Sequence, residues 1–193
     1  MSKQALQRLL EGNRRYVANQ PILDESPRRR SEVAQGQKPF AIIFGCVDSR
    51  VPPELIFDQG LGELFVIRTA GEVLDRAALG SLEFGVEELH IPLLVVLGHE
   101  RCGAVKAAIE VLGWHGKAEA DIEYLVQALV PAVEQGKRLG GDHWEQAGRA
   151  QVALQVDQLK RSPILATAVE EGTLKVVGAW YGLETGLVQI TVE

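Results

Sequence analysis

The sequence predicts an α/β fold: an open, mainly parallel β-sheet flanked by helices, with an N-terminal helical arm and a C-terminal β-hairpin. Three observations predict it. Short, continuously apolar, β-branched runs recur at "FAIIF" (40–44), "ELFVI" (63–67) and "PLLVVLG" (92–98), as strands covered on both faces of a parallel sheet require. Segments of helical spacing alternate with these runs, which implies right-handed crossovers between parallel strands. The chain then closes on "TLKVVGAWYGLETGLVQITVE", two strand-like runs around a turn, read as a hairpin at a sheet edge.

Taken in order, the opening helix rests on Ala5, Leu6, Leu9 and Leu10, then Tyr16 and Val17, which recur at roughly helical spacing. "PILDESPRRRSEV" combines Pro, Ser and a basic run and reads as a solvated linker. Residues 1–35 are thus an N-terminal helical arm and linker within a single domain spanning 1–193. In "DRAALGSLEFGVEELH", Asp75 is the expected N-cap, with Leu79, Leu82 and Val86 at helical spacing. "CGAVKAAIEVLG" reads as another helix, stopped by Gly113. Beyond it lies a long helical excursion, "DIEYLVQALVPAVEQGK" and "WEQAGRAQVALQVDQLKRSPILATAVEEG", broken at Gly140-Gly141. No internal repeat or low-complexity segment divides the chain.

Composition narrows the function classes. Twenty basic against twenty-six acidic side chains give a net charge of −6, which offers no electrostatic footprint for nucleic acid or an anionic membrane. The N-terminal twenty residues carry charges throughout, unlike a signal peptide or a membrane span, so a cytoplasmic protein is expected. Cys46 and Cys102 are the only cysteines. In a reducing compartment such a pair is more often metal-binding or catalytic than a disulfide.

The predicted sheet places that pair. Cys46 follows the first strand and His99 the third, both at carboxyl ends, the edge that holds the ligand crevice of open α/β sheets. If the second strand lies outside the first, these two strands are neighbours. Cys102 follows in "GHERCG" at the start of a helix, where the thiolate is favoured. Cys, His and Cys about one point is a zinc set with a fourth position left for water. A closed structural zinc site lacks a fourth ligand here, and a Cys–His nucleophile pair leaves one cysteine idle. His90, His115 and His143 are expected away from that edge. Asp48 and Arg50 alternate with Cys46 in C-x-D-x-R, so an extended loop turns all three toward the crevice. Asp48 is then either the fourth ligand or the acceptor for a water's hydrogen, with Arg50 fixing it and lowering its pKa.

"CVDSR" (46–50) and "HERC" (99–102), with "IFDQGLGELFVIRTAGEV" and "LGSLEFGVEELHIPLLVVLGHERCGAV", resemble the β-class carbonic anhydrases over most of the chain. The resemblance implies reversible hydration of carbon dioxide to bicarbonate and a proton. It implies one Zn2+ per chain on Cys46, His99 and Cys102, with Asp48 beside or on the metal and oriented by Arg50. It further implies that the Gly103 N–H holds Asp48, that Gln37 donates to a substrate oxygen, and that Phe65 and Phe84 form an apolar pocket wall. Active sites of this family lie at a dimer interface, with opening helices wrapped over the partner, so a homodimer or dimer of dimers is implied. Some members bind inhibitory bicarbonate beside a tryptophan three residues before the first cysteine; here Ile43 stands there, with Arg68 and Tyr181 resembling the rest of that pocket. Two other functions share the pattern: a carbon disulfide or carbonyl sulfide hydrolase, and a noncatalytic zinc-bearing protein.

Overall fold

The computed structural model describes residues 1–114 and 116–193; the expectation for His115 lies outside them. Strands β1 (Ala41–Cys46), β2 (Leu64–Thr69), β3 (Leu93–His99), β4 (Lys175–Tyr181) and β5 (Val188–Val192) form one sheet in the order β2-β1-β3-β4-β5. All pairings are parallel except β4 with β5. The second strand does lie outside the first, so β1 and β3 are adjacent and send their connections in opposite directions.

The apolar runs are continuous because both sheet faces are covered. Ile42 and Phe44 of β1 point to one face, where Leu94, Val96 and Val176 meet helices α4 (Arg76–Glu87), α7 (His143–Leu159) and α8 (Pro163–Glu170) through Leu82, Val156 and Leu165. Ile43 points to the other, packing with Val95 and Val177 under α1 (Ser2–Val17), whose Ala5 and Leu9 are buried there. A third cluster joins Cys46 and Cys102 to Val105 of α5 (Gly103–Gly113) and to Val126 and Leu129 of α6 (Ile122–Leu139). The α6 and α7 helices approach closely at Gly136, where a Cβ would lie 2.4 Å from the Ala147 backbone nitrogen.

Several expectations change. The α1 helix packs on its own sheet, and Asn13 locks it there by donating to the Ile56 and Gly186 carbonyls and accepting from the Val188 N–H. The expected linker contains α2 (Pro27–Val33): Ser26 caps it by accepting from the Arg29 N–H, and Pro27 takes the first turn. Arg29 is not free in solvent; it donates to the Leu61 carbonyl and to Glu63. A single turn, α3 (Pro53–Ile56), is too short to show periodicity. Pro163, following the N-cap Ser162, splits the final helical run into α7 and α8. Asp75 caps α4 as expected, accepting from the Ala78 N–H at 2.7 Å.

Candidate metal centre

Cys46 and His99 are the last residues of β1 and β3, and Cys102 is the N-cap of α5. Strand adjacency brings the first two together, and a left-handed Arg101 (φ 52°) turns the chain so that Cys102 returns to them. One donor atom from each residue lies within 4.8 Å of the others, and all three residues are buried.

The donors suit a soft divalent cation. His99 Nδ1 donates to the Glu100 carbonyl at 2.8 Å, which fixes the tautomer and leaves Nε2 bare. That Nε2 is buried without a hydrogen-bond partner, an arrangement that costs free energy unless something binds it. The two sulfurs are 3.8 Å apart and unlinked. Without metal they share a proton: the Cys102 thiol bond pulls Cys46 down to about 4, and the same bond with burial pushes Cys102 up. A divalent cation replaces that proton and leaves both sulfurs as thiolates.

Asp48 stands beside this trio without joining it. Arg50 donates through Nε (2.9 Å), Nη2 (2.7 Å) and its backbone N–H (2.9 Å) to the carboxylate, while Asp48 Oδ2 remains 4.0 Å from His99 Nε2. These bonds hold the Asp48 pKa at about 2, below the usual carboxylate range. Arg50 also reaches the Arg101 carbonyl, tying the two motif loops together.

The remaining candidates separate. Gly103 opens α5, but among the described residues no hydrogen bond joins its N–H to Asp48. Gln37 is exposed in the loop before β1, and Phe65 pairs across the strands with Ile42. Both therefore sit near the amino end of the sheet, roughly a strand's length, about 16 Å, from the Cys46 end. Phe84 is 48% exposed and stacks on Phe65 at 6.5 Å between centroids. None of these three faces the donors of its own chain. His90 lies in the turn before β3, and His143 opens α7 and bonds the Val133 carbonyl.

Three supporting residues were not assigned these roles from the sequence. Arg68 of β2 grips the Cys46 carbonyl (2.6 Å) and the Asp48 carbonyl (2.7 Å); a lone charge ending an apolar strand was the available signal. The Trp144 indole donates to the Cys102 carbonyl at 2.8 Å, and Gln151 donates to the Gly71 carbonyl at 2.9 Å. These two come from α7, and nothing local marks them.

Residues 41–188 match the protein family described as carbonic anhydrase. A carbonic anhydrase of Mycolicibacterium smegmatis is 41% identical over 184 residues, covering 94% of this chain and 89% of that protein. A Coccomyxa β-carbonic anhydrase, solved in complex with acetazolamide, superposes with a TM-score of 0.76 at 33% identity, covering 84% of this chain and 76% of that one. A tetrameric β-carbonic anhydrase of Sordaria macrospora shares the fold, with a TM-score of 0.77 at 22% identity and 86% of each chain covered.

Proposed function

This chain belongs to the β-class carbonic anhydrases, and we propose that it reversibly hydrates carbon dioxide to bicarbonate and a proton at the Cys46, His99 and Cys102 centre. The observation that carries this reading is the juxtaposition of three buried soft donors with an ionised, Arg-pinned carboxylate that leaves them free. Cys46, His99 and Cys102 would hold a zinc ion, which when bound would supply the Lewis acidity that activates water near neutral pH.

The chain's own groups do the rest. Asp48, ionised, only accepts hydrogen bonds, so it accepts one from a water or hydroxide and aims the oxygen lone pair outward. Arg50 holds both carboxylate oxygens and stops Asp48 from swinging onto the donors. Arg68 fixes the backbone on which Cys46 and Asp48 stand.

The functional unit is a homodimer, or a dimer of dimers, in which Gln37, Phe65 and Phe84 of each subunit serve the other's site. Two features support this. Edge strand β2 has only partly buried apolar residues along its length, and Phe84 extends that surface. The three residues are also too far from their own chain's donors to contact a substrate there. A cytoplasmic setting belongs to this proposal, in keeping with two cysteines assigned to a metal and none left over for a disulfide framework; no described helix is long and apolar enough to cross a membrane.

Stopped-flow carbon dioxide hydration by the zinc-loaded protein tests the function. Rapid hydration is expected. Sulfide release from carbon disulfide without hydration would assign the hydrolase activity instead, and neither reaction would leave a noncatalytic zinc protein.

A further inference from the structure

The turn behind Cys46 is held by a residue remote from both sequence motifs. Between β2 and α4, the 3-10 turn Ala70–Glu72 passes the sulfur, and the Gly71 N–H donates to Cys46 Sγ at 3.4 Å. Its backbone is left-handed, φ 65° at Gly71 and 50° at Glu72. A Cβ at Gly71 would meet Ala104 and Leu129 side-chain carbons at 3.2 Å, so α5 and α6 close over the turn.

A non-glycine residue in this left-handed region is disfavoured unless its surroundings impose it. The surroundings are visible. Thr69 Oγ1 donates to the Val73 carbonyl at 2.8 Å and closes the turn. Gln151, 1% exposed on α7, donates its amide N–H to the Gly71 carbonyl at 2.9 Å. Anchoring that carbonyl holds the Gly71–Glu72 peptide plane, and with the turn closed by Thr69 it restrains Gly71, whose N–H in the preceding peptide plane points at the sulfur.

We propose that Gln151 is a positioning residue for the metal centre: by clamping Gly71 it keeps a backbone N–H on the Cys46 sulfur and so sets how strongly that sulfur donates to a bound metal. This rests on the metal-site reading above and gives the helical excursion a role as the rear wall of the site. A hydrogen bond to a thiolate draws electron density from it. Losing that bond raises donation, which lowers the energy of the charge-transfer band, and loosens the geometry, which outweighs the added donation in affinity; outer partners of metal ligands typically affect affinity by about 10- to 100-fold. Gln151 acts through one further bond, so the lower end of that range applies.

The test compares wild type with Gln151→Met, which keeps the length and removes the donor, and Gln151→Asn, one methylene too short to reach. Gln155→Met is the control: it removes the next buried amide on α7, which has no bond to the turn. Zinc affinity by chelator competition and the thiolate-to-metal charge-transfer band of the cobalt(II) form are measured beside the melting temperature. Gln151→Met should weaken zinc about tenfold and move the band to longer wavelength; Gln151→Asn should shift both in the same direction, and decides the question if the methionine variant does not fold. Gln155→Met should alter the melting temperature alone. An unmoved band and unchanged zinc affinity in the Gln151 variants would overturn the proposal, as would equal shifts from Gln155→Met. A wild type that takes up no metal would instead overturn the metal-site reading.

Discussion

Replacing Arg68 by methionine separates the scaffold of the site from its chemistry. Arg68 is half-buried on β2 and makes two short bonds, one to each carbonyl that frames Val47. Hydrogen bonds to a charged group contribute about 1.5–3 kcal/mol each, and a stranded buried acceptor costs about 1–3 kcal/mol. The Cys46 carbonyl belongs to a residue 4% exposed and finds no ready substitute, which assigns about 2 kcal/mol to it. The Asp48 carbonyl lies nearer solvent and recovers water, leaving about 1 kcal/mol. Arg68→Met should therefore destabilise by about 3 kcal/mol, and Arg68→Lys, with one point donor in place of a fork, by about half that. Urea unfolding gives the stability change, with zinc affinity measured in parallel. Both quantities should fall together, because the same carbonyls position a ligand and its neighbour. A methionine variant within about 0.5 kcal/mol of wild type, the range of ordinary surface substitutions, would refute the assignment of Arg68 as the anchor of this loop.

Asp48→Asn should retain zinc but lose most hydration activity, since the amide neither carries the charge nor pairs equivalently with Arg50; full activity would remove Asp48 from the mechanism. Its folded pKa lies below the usual value, so the ionised contribution is complete above about pH 4 and is lost only as pH falls through about 2. An acid limb between pH 5 and 7 in the rate profile therefore belongs to another group, and Asp48→Asn should lower the rate without moving that limb. Phe65→Lys should yield a monomer that keeps its zinc and loses activity, read by light scattering and stopped flow; an active monomer would show that each site is complete alone. Ile43 is fully buried between sheet neighbours and brings no N–H to an anion, so kinetics in bicarbonate should stay hyperbolic at fixed pH, and clear cooperativity would contradict this.

The meeting of Cys46, His99 and Cys102 was legible because each stands at the boundary of a regular element. A continuous apolar run shows where β1 and β3 stop, parallel topology sends their ends to one edge, and Cys102 is the only other soft donor within reach. The Asp48–Arg50 pair was legible from its alternation alone. The α2 helix was not: its basic residues suggested solvation, and only the tertiary partner Glu63 and the cap at Ser26 show why seven residues hold a helix there. Trp144 and Gln151 were invisible for a related reason. A buried polar side chain takes its meaning from the backbone group it satisfies, and both groups lie more than forty residues away in sequence.

Gln37 shows how a residue that a family resemblance draws to the site can stand apart from it within one chain. Nine residues separate it from Cys46, and six of the intervening positions through Cys46 are an extended strand. A strand advances about 3.3 Å per residue, so it places its two ends at opposite edges of the sheet. Phe65 obeys the same measure, because its register with Ile42 fixes it near the start of β1. No side-chain rearrangement crosses that distance. If these residues touch the substrate, they do so in the site of a second subunit docked along β2, where the exposed Phe84 stacks on the partly buried Phe65. The strand that carries Cys46 to its own crevice thus carries Gln37 away from it, and on the dimer proposed above the same stiffness makes the second subunit the source of Gln37, Phe65 and Phe84. Mixing an inactive Cys102→Ala subunit with an inactive Phe65→Lys subunit tests this directly. Each lacks what the other supplies, so their heterodimer should recover one working site in two. Recovery requires the altered Phe65 surface to dock on an intact partner. Failure to regain activity in a heterodimer shown to form would place the pocket wall within a single chain.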